Sequence, residues 1–102
     1  MTKHNTFFKK SLNKYGKTVI IKRQNNQQIT TKCFINDLTD RHHIDFDNKS
    51  KLYIGPLNIN ITTNDIIIYD KQIYRVVSND THNEKGEDVY IWAILKSEKA
   101  SQ

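Results

Sequence analysis

The 102-residue sequence has a single cysteine, three scattered glycines, no acidic residue before position 37 and no long apolar run, and each scarcity excludes something. A lone Cys33 cannot form an internal disulfide, so the fold does not depend on crosslinks as many small secreted domains do. Its place in an alternating segment marks it as a buried small hydrophobe and not as a nucleophile. Gly16, Gly55 and Gly86 lie far apart and open no helix, which excludes a glycine loop that cradles phosphate. Every apolar run is shorter than the roughly 20 residues that cross a bilayer. Met1 is followed by polar residues instead of a secretory segment. The expectation is an intracellular chain with no membrane partner.

What is present fits one small domain, because dividing a chain of this length would leave neither half a core. Apolar residues make up 36% of the sequence, but they gather in strand-length clusters rich in Ile, Val, Tyr and Trp. Sixteen Lys and Arg residues stand against eleven Asp and Glu residues, a formal charge of +5. They are segregated. Lys3, Lys9, Lys10, Lys14, Lys17, Lys22, Arg23 and Lys32 precede the first acid, Asp37. Such a layout suits nucleic acid, an acidic protein face, or contacts between identical chains that present opposite signs. The set Lys9, Lys10, Lys14, Lys17, Lys22 and Arg23 is the candidate partner or DNA contact. Sequence-specific DNA recognition is not expected, because the aromatics that would stack on bases are needed for the core.

Along the chain, Asn5 is positioned to cap a short helix carrying Phe7, Phe8 and Leu12, with Gly16 ending it in a left-handed conformation. Lys17 to Arg23 predicts a strand through Thr18, Val19, Ile20 and Ile21, and Gln24 to Gln27 a turn. Ile29, Thr31, Cys33 and Ile35 then share one face of a second strand. Residues 37–64 predict a long excursion, with brief strands at Ile44 with Phe46 and at Leu52 with Ile54. Gly55 and Pro56 bend the chain there, and Leu57, Ile59 and Ile61 resume a period of two. A connection this long implies a use in contact. Ile66 to Tyr69 and Ile73 to Val77, separated by Asp70, Lys71 and Gln72, form a tight hairpin. In the final strand, Asp88 to Lys96, both faces are apolar and both need cover. The fold class expected is mainly β: a small closed or partly open barrel of about five to seven short strands with a short N-terminal helix and a long inserted loop. No acid, base and nucleophile constellation is assembled, so a non-enzymatic role is expected without catalytic residues, cofactor or metal. Asp40, His42, His43, Asp45 and Asp47 lack the rigid spacing of a metal site and are expected to be a solvated loop.

The hairpin Asp65, Ile66, Ile67, Ile68, Tyr69, Asp70, Lys71, Gln72, Ile73, Tyr74, Arg75, Val76, Val77, with the closing strand Val89 to Leu95, resembles the small head-completion and head-tail joining proteins of long-tailed double-stranded DNA bacteriophages and defective prophages. The basic helix and the strand near Val19 to Arg23 agree with the opening of that family. The turn has Lys71 and Gln72 where a glycine often follows the aspartate. The resemblance implies a small barrel with a prominent loop that forms a homo-oligomeric ring below the portal, helps retain packaged DNA and offers a surface to the tail. Its partners would be copies of itself, the portal or a portal-side adaptor, a tail terminator or tail-completion protein, and DNA without sequence specificity. It would reside in the bacterial cytoplasm during assembly and then in the virion connector. The implied ring or channel loop comprises Asp37, Asp40, Arg41, His42, His43, Asp45, Asp47, Lys49 and Lys51. The structural hairpin comprises Asp65, Ile66, Ile68, Tyr69, Asp70, Tyr74 and Val76. A tail-completion protein and a non-ring adaptor binding protein or nucleic acid remain as alternatives.

Overall fold

The computed structural model describes residues 3–37 and 50–98. Among these residues one helix, α1 (Lys3–Tyr15), precedes six strands: β1 (Lys17–Lys22), β2 (Gln28–Asp37), β3 (Lys51–Gly55), β4 (Ile66–Tyr69), β5 (Gln72–Glu84) and β6 (Glu87–Ser97). The strands are joined edge to edge in the order β1-β2-β3-β6-β5-β4, and β4 returns to β1, closing an antiparallel barrel. The expected mainly β barrel with an N-terminal helix is therefore the architecture. Among the described residues, no helix is long and apolar enough to cross a membrane.

The period of two decides which side chains fill the barrel. Val19 and Ile21 of β1, Cys33 of β2, Tyr53 of β3 and Ile67 of β4 point inward, as do Tyr74 and Val76 of β5 and Ile91, Ala93 and Leu95 of β6. All are buried. Burial of each large apolar side chain contributes roughly 1.5 to 3 kcal/mol relative to exposure. The intervening residues Thr18, Ile20 and Lys22, or Tyr90, Trp92 and Ile94, form the outer wall.

Two-residue turns set the hairpin registers. Tyr69 pairs with Gln72, leaving only Asp70 and Lys71 in the loop, both at positive φ (51° and 64°). Glu84 pairs with Glu87 around Lys85 and Gly86, again both at positive φ (53° and 86°). Consecutive positive φ values give the turn whose twist matches paired strands. Gln72, expected in the first turn, is already the first residue of β5.

Several local expectations are corrected. α1 already runs through Asn5, which lies inside the helix and does not cap it. Gly16 is not at positive φ. Its requirement is close packing, since a Cβ there would fall 2.4 Å from the Leu12 carbonyl oxygen. Leu57, Ile59 and Ile61 keep an alternating burial, yet residues 56–65 form turns and no strand. Ile59 N–H donates to Pro56 O, and Ile61 is buried in the core while Leu57 and Ile59 pack against it. This segment closes one end of the barrel. The expected strand at Leu52 with Ile54 is β3, with Tyr53 between them as the inward residue. The expected strand at Ile44 with Phe46 lies outside the described residues.

β3 stops at Gly55, and beyond its end α1 spans the gap by packing on β2 and β6. Phe8 meets the ring of Phe34 edge-on at 6.0 Å and the ring of Tyr90 at 5.4 Å, and Leu12 is buried beneath the helix. Phe7, expected on the apolar helix face, is instead 73% exposed.

Candidate interaction surface

The six basic residues singled out in the sequence fall on two elements and the turn that follows them. Lys9, Lys10 and Lys14 are exposed on α1, with the Lys14 ammonium 5.4 Å from the Tyr15 ring centroid. Lys17 and Lys22 are exposed at the two ends of β1. Arg23 is half-buried, and its guanidinium donates to the Asn60 carbonyl, while the Gln24 amide donates to Thr63 O at 3.2 Å. Arg23 thus ties the β1–β2 turn to the closing segment of the barrel.

Of the loop set, Asp40, Arg41, His42, His43, Asp45, Asp47 and Lys49 lie outside the described residues. Asp37 and Lys51 are the last residue of β2 and the first of β3. They are paired in register and joined by an ion pair. The hydrogen bond to Asp37 holds the Lys51 ammonium above its ordinary pKa, against a smaller opposing effect of burial.

The hairpin set divides by face. Tyr74 and Val76 are buried and point inward beside Ile67, and half-buried Tyr69 packs against the same core, whereas Ile66 and Ile68 alternate with Ile67 on the outer face and Asp70 is exposed in the turn. Asp65 is 1% exposed and holds the backbone around it in place. Thr62 N–H donates to its carboxylate at 2.9 Å, and Val76 N–H donates to its carbonyl at 2.9 Å. Asn64 N–H donates to Val76 O, so Asn64 and Asp65 extend the β4 ladder by one residue.

The length of β5 is a feature that the sequence pattern did not reveal. Its pairing with β4 ends at Arg75, but its pairing with β6 continues to Glu84, across register shifts at Val76/Ser78 and His82/Asn83. On the β6 side, β3 pairs only from Ile91 onward. The ends of β5 and β6 therefore extend as a two-stranded arm past their barrel neighbours. Near its base, the Asn79 amide, oriented to satisfy both ends, donates to Ile61 O and accepts from Thr63 N–H, each at 3.2 Å. Beyond Asn79, no described strand pairs with the outer edge of β5. The arm and the β5 edge at its base carry Asp80, Glu84, Glu87 and Asp88 against one cation, Lys85. Asn83 stabilises its tip by accepting from Gly86 N–H at 2.9 Å and donating to Asp88 at 3.2 Å.

Where the arm meets α1 there is an open cleft of about 310 Å³, lined by Phe7, Phe8, Phe34, Val89 and Tyr90 with Ser11, His82 and Glu84. The His82 ring stacks on Tyr90 at 4.6 Å and is linked to Glu84 at 2.8 Å. An aromatic concavity with a polar edge is suited to receive an apolar projection. The run Glu84 to Asp88 and the exposed-face aromatics were the signals that sequence reasoning passed over.

Among the described residues, those inside the barrel are mostly apolar. Burial pushes the Cys33 thiol up to about 12, so it is not a thiolate nucleophile near neutral pH. Burial likewise raises the Tyr53 phenol above its ordinary range, with a smaller contribution from Cys33. The chain is thus a helix-capped, six-stranded antiparallel β barrel bearing a projecting arm. No family model, curated protein or solved structure matches it.

Proposed function

We propose that this chain is a structural head-completion or head-tail joining protein of a bacteriophage or prophage, acting as one copy in a ring below the portal. In that role it helps to retain packaged DNA, presents an attachment surface to the tail and performs no chemistry itself. The observation that carries the proposal is the opposition of unlike faces on one closed barrel. In the strand order, β1 and β6 are three places apart in either direction, and β1 ends in Lys17 and Lys22 while β6 opens with Glu87 and Asp88. Subunits with complementary surfaces on opposite sides associate head to tail, and close into a ring where the rotation between neighbours closes. The phage setting rests on the resemblance of residues 65–77 and 89–95 to the joining family, and the barrel with an N-terminal helix agrees with it. A free chain is expected to be largely monomeric or weakly associated, populating the contact only at high concentration, and to form the ring on a portal-side template, where many modest contacts act together.

The test is mass spectrometry of purified particles from the phage or prophage that encodes the chain, together with deletion of its gene. The chain is expected in intact particles, and the deletion is expected to give heads that lose DNA and do not join tails. Absence from particles, with a stable one-to-one complex with a host protein, would replace the connector by an adaptor.

A further inference from the structure

Two surfaces of the barrel carry opposite charge, one beside a cleft and the other on a strand wall. The first is the cleft at the base of the arm. It is concave and aromatic, Phe7 at its mouth is 73% exposed, and the arm beside it carries Asp80, Glu87 and Asp88. The second lies on the opposite wall, where the registers align outward-facing residues in two rows. Thr30, Ile20, Ile68 and Ile73 cross β2, β1, β4 and β5 in one row, and Gln28, Lys22, Ile66 and Arg75 cross them in the next. Ile20 is 36% exposed, and Ile66, Ile68 and Ile73 are half-buried. A barrel wall is convex, so these isoleucines form a low aliphatic ridge that includes Lys22, while Lys17, exposed at the other end of β1, shares the period of Val19 and Ile21 and stands at the barrel rim. Arg75 is occupied by Glu98 across the barrel surface.

We infer that the arm and aromatic cleft of one copy dock on the β1–β4 ridge of a second copy, with Asp80, Glu87 and Asp88 facing Lys17 and Lys22 around an apolar centre of Phe7 against Ile20. This inference rests on the proposed ring and names the surfaces that would build it. Three observations select a second copy as the occupant. The acidic rim and the basic rim are on the same chain, so each copy supplies what the other lacks. They lie on opposite walls, so using one leaves the other available, as a head-to-tail contact requires. An arm-to-arm contact, the other way to cover the free edge of β5, would bring Asp80, Glu87 and Asp88 against their own kind, which is unfavourable.

The inference is tested with the full chain by charge reversal on one side at a time. One variant carries Glu87→Lys and Asp88→Lys, so that both surfaces are basic; the other carries Lys17→Glu and Lys22→Glu, so that both are acidic. Lys17, Lys22 and Asp88 are exposed and Glu87 is half-buried, all four at strand ends, and circular dichroism melting verifies that each variant folds. Sedimentation velocity at low ionic strength is expected to show wild-type self-association that rises with concentration and falls with salt. Each variant alone is expected to associate about tenfold more weakly or worse. An equimolar mixture is expected to associate again, because each variant then offers the sign that the other needs. A second pair, Phe7→Ala and Ile20→Ala, is expected to weaken association without changing its salt dependence.

A wild type that stays monomeric at every concentration and salt, variants that associate like wild type, or a mixture that is not restored would each overturn the inference. Loss of DNA binding by Lys17→Glu/Lys22→Glu with self-association unchanged would also overturn it, assigning the ridge to DNA. Failure here with the chain still present in particles removes this contact and leaves the connector. Association as expected from a chain absent from particles does the reverse.

Discussion

The ring of Tyr53 occupies the space that any side chain on Gly55 would need: a Cβ at Gly55 would fall 2.1 Å from Tyr53 Oη and 2.4 Å from Cζ. Tyr53 is fully buried at the centre of the barrel and cannot swing into solvent. Gly55→Ala is therefore expected to destabilise the fold by about 3 kcal/mol, as overpacking of a filled core does. Tyr53 Oη is buried without a hydrogen-bond partner. Tyr53→Phe is accordingly expected to be as stable as wild type or more so, since it removes a desolvated hydroxyl and keeps the ring. Urea unfolding of both variants checks the pair. A Tyr53→Phe protein less stable by about 2 kcal/mol would show that the hydroxyl has a favourable role.

Val76 and Val77 are neighbours with opposite fates. Val76 is fully buried, with both backbone groups bonded to Asn64 and Asp65, whereas Val77 is 44% exposed. Val76→Asp is expected to cost several kcal/mol, enough to abolish cooperative unfolding in a small domain. Val77→Asp is expected to stay within about 1 kcal/mol of wild type. Thermal melts that rank the two variants alike would contradict the alternation assigned to β5.

Cys33 gives a prediction in pH. Its thiol has an ordinary value of 9.0 and is pushed to about 12 in the fold by burial. A thiol that is harder to deprotonate when folded contributes its stability fully below the unfolded value. That contribution is lost as pH rises from about 9 through about 12. Cys33→Ser is expected to flatten this alkaline decline in stability. At pH 8, a disulfide reagent is expected to label Cys33 only as fast as the chain opens, and rapidly in denaturant. Rapid labelling of the native chain would place the thiol at the surface.

How much of this was legible in the sequence depended on whether a segment has one wet and one dry face. Ile29, Thr31, Cys33 and Ile35 alternate because β2 is a barrel wall, whereas both faces of β6 are apolar and only the fold shows that Val89, Ile91, Ala93 and Leu95 make the buried one. The arm was not legible. Ser78 to Asn83 have a strand neighbour on the β6 side only, where burial does not impose a sustained period, so these polar residues fall outside the strand predicted from Ile73 to Val77. Leu57, Ile59 and Ile61 show the opposite failure: a period of two can come from a closing segment that dips side chains into a barrel end. Tyr53 escaped notice because Leu52 and Ile54 beside it are equally apolar, and only closure of the barrel decides which of them turns inward. The basic residues were visible as composition, but their division between α1 and β1, and the engagement of Arg23 with Asn60, required the fold.

Lys9, Lys10 and Lys14 are exposed and contribute little to packing. Replacing all three by Gln is expected to leave the melting temperature nearly unchanged, each exposed substitution costing within about 0.5 kcal/mol. Binding to DNA or to the portal-side layer is expected to weaken, with a shallower dependence on salt. Unchanged affinity across a salt titration would remove α1 from the partner surface.

Position in an assembled particle decides whether the chain is a connector, and a cryo-electron reconstruction of the head-tail junction, with this chain identified by labelling, reads that position. The expected density is a ring of copies on the particle axis between portal and tail, with the β5–β6 arm of each directed at the β1–β4 wall of the next. A fully tailed particle whose connector density contains no copy of this chain would refute the connector role.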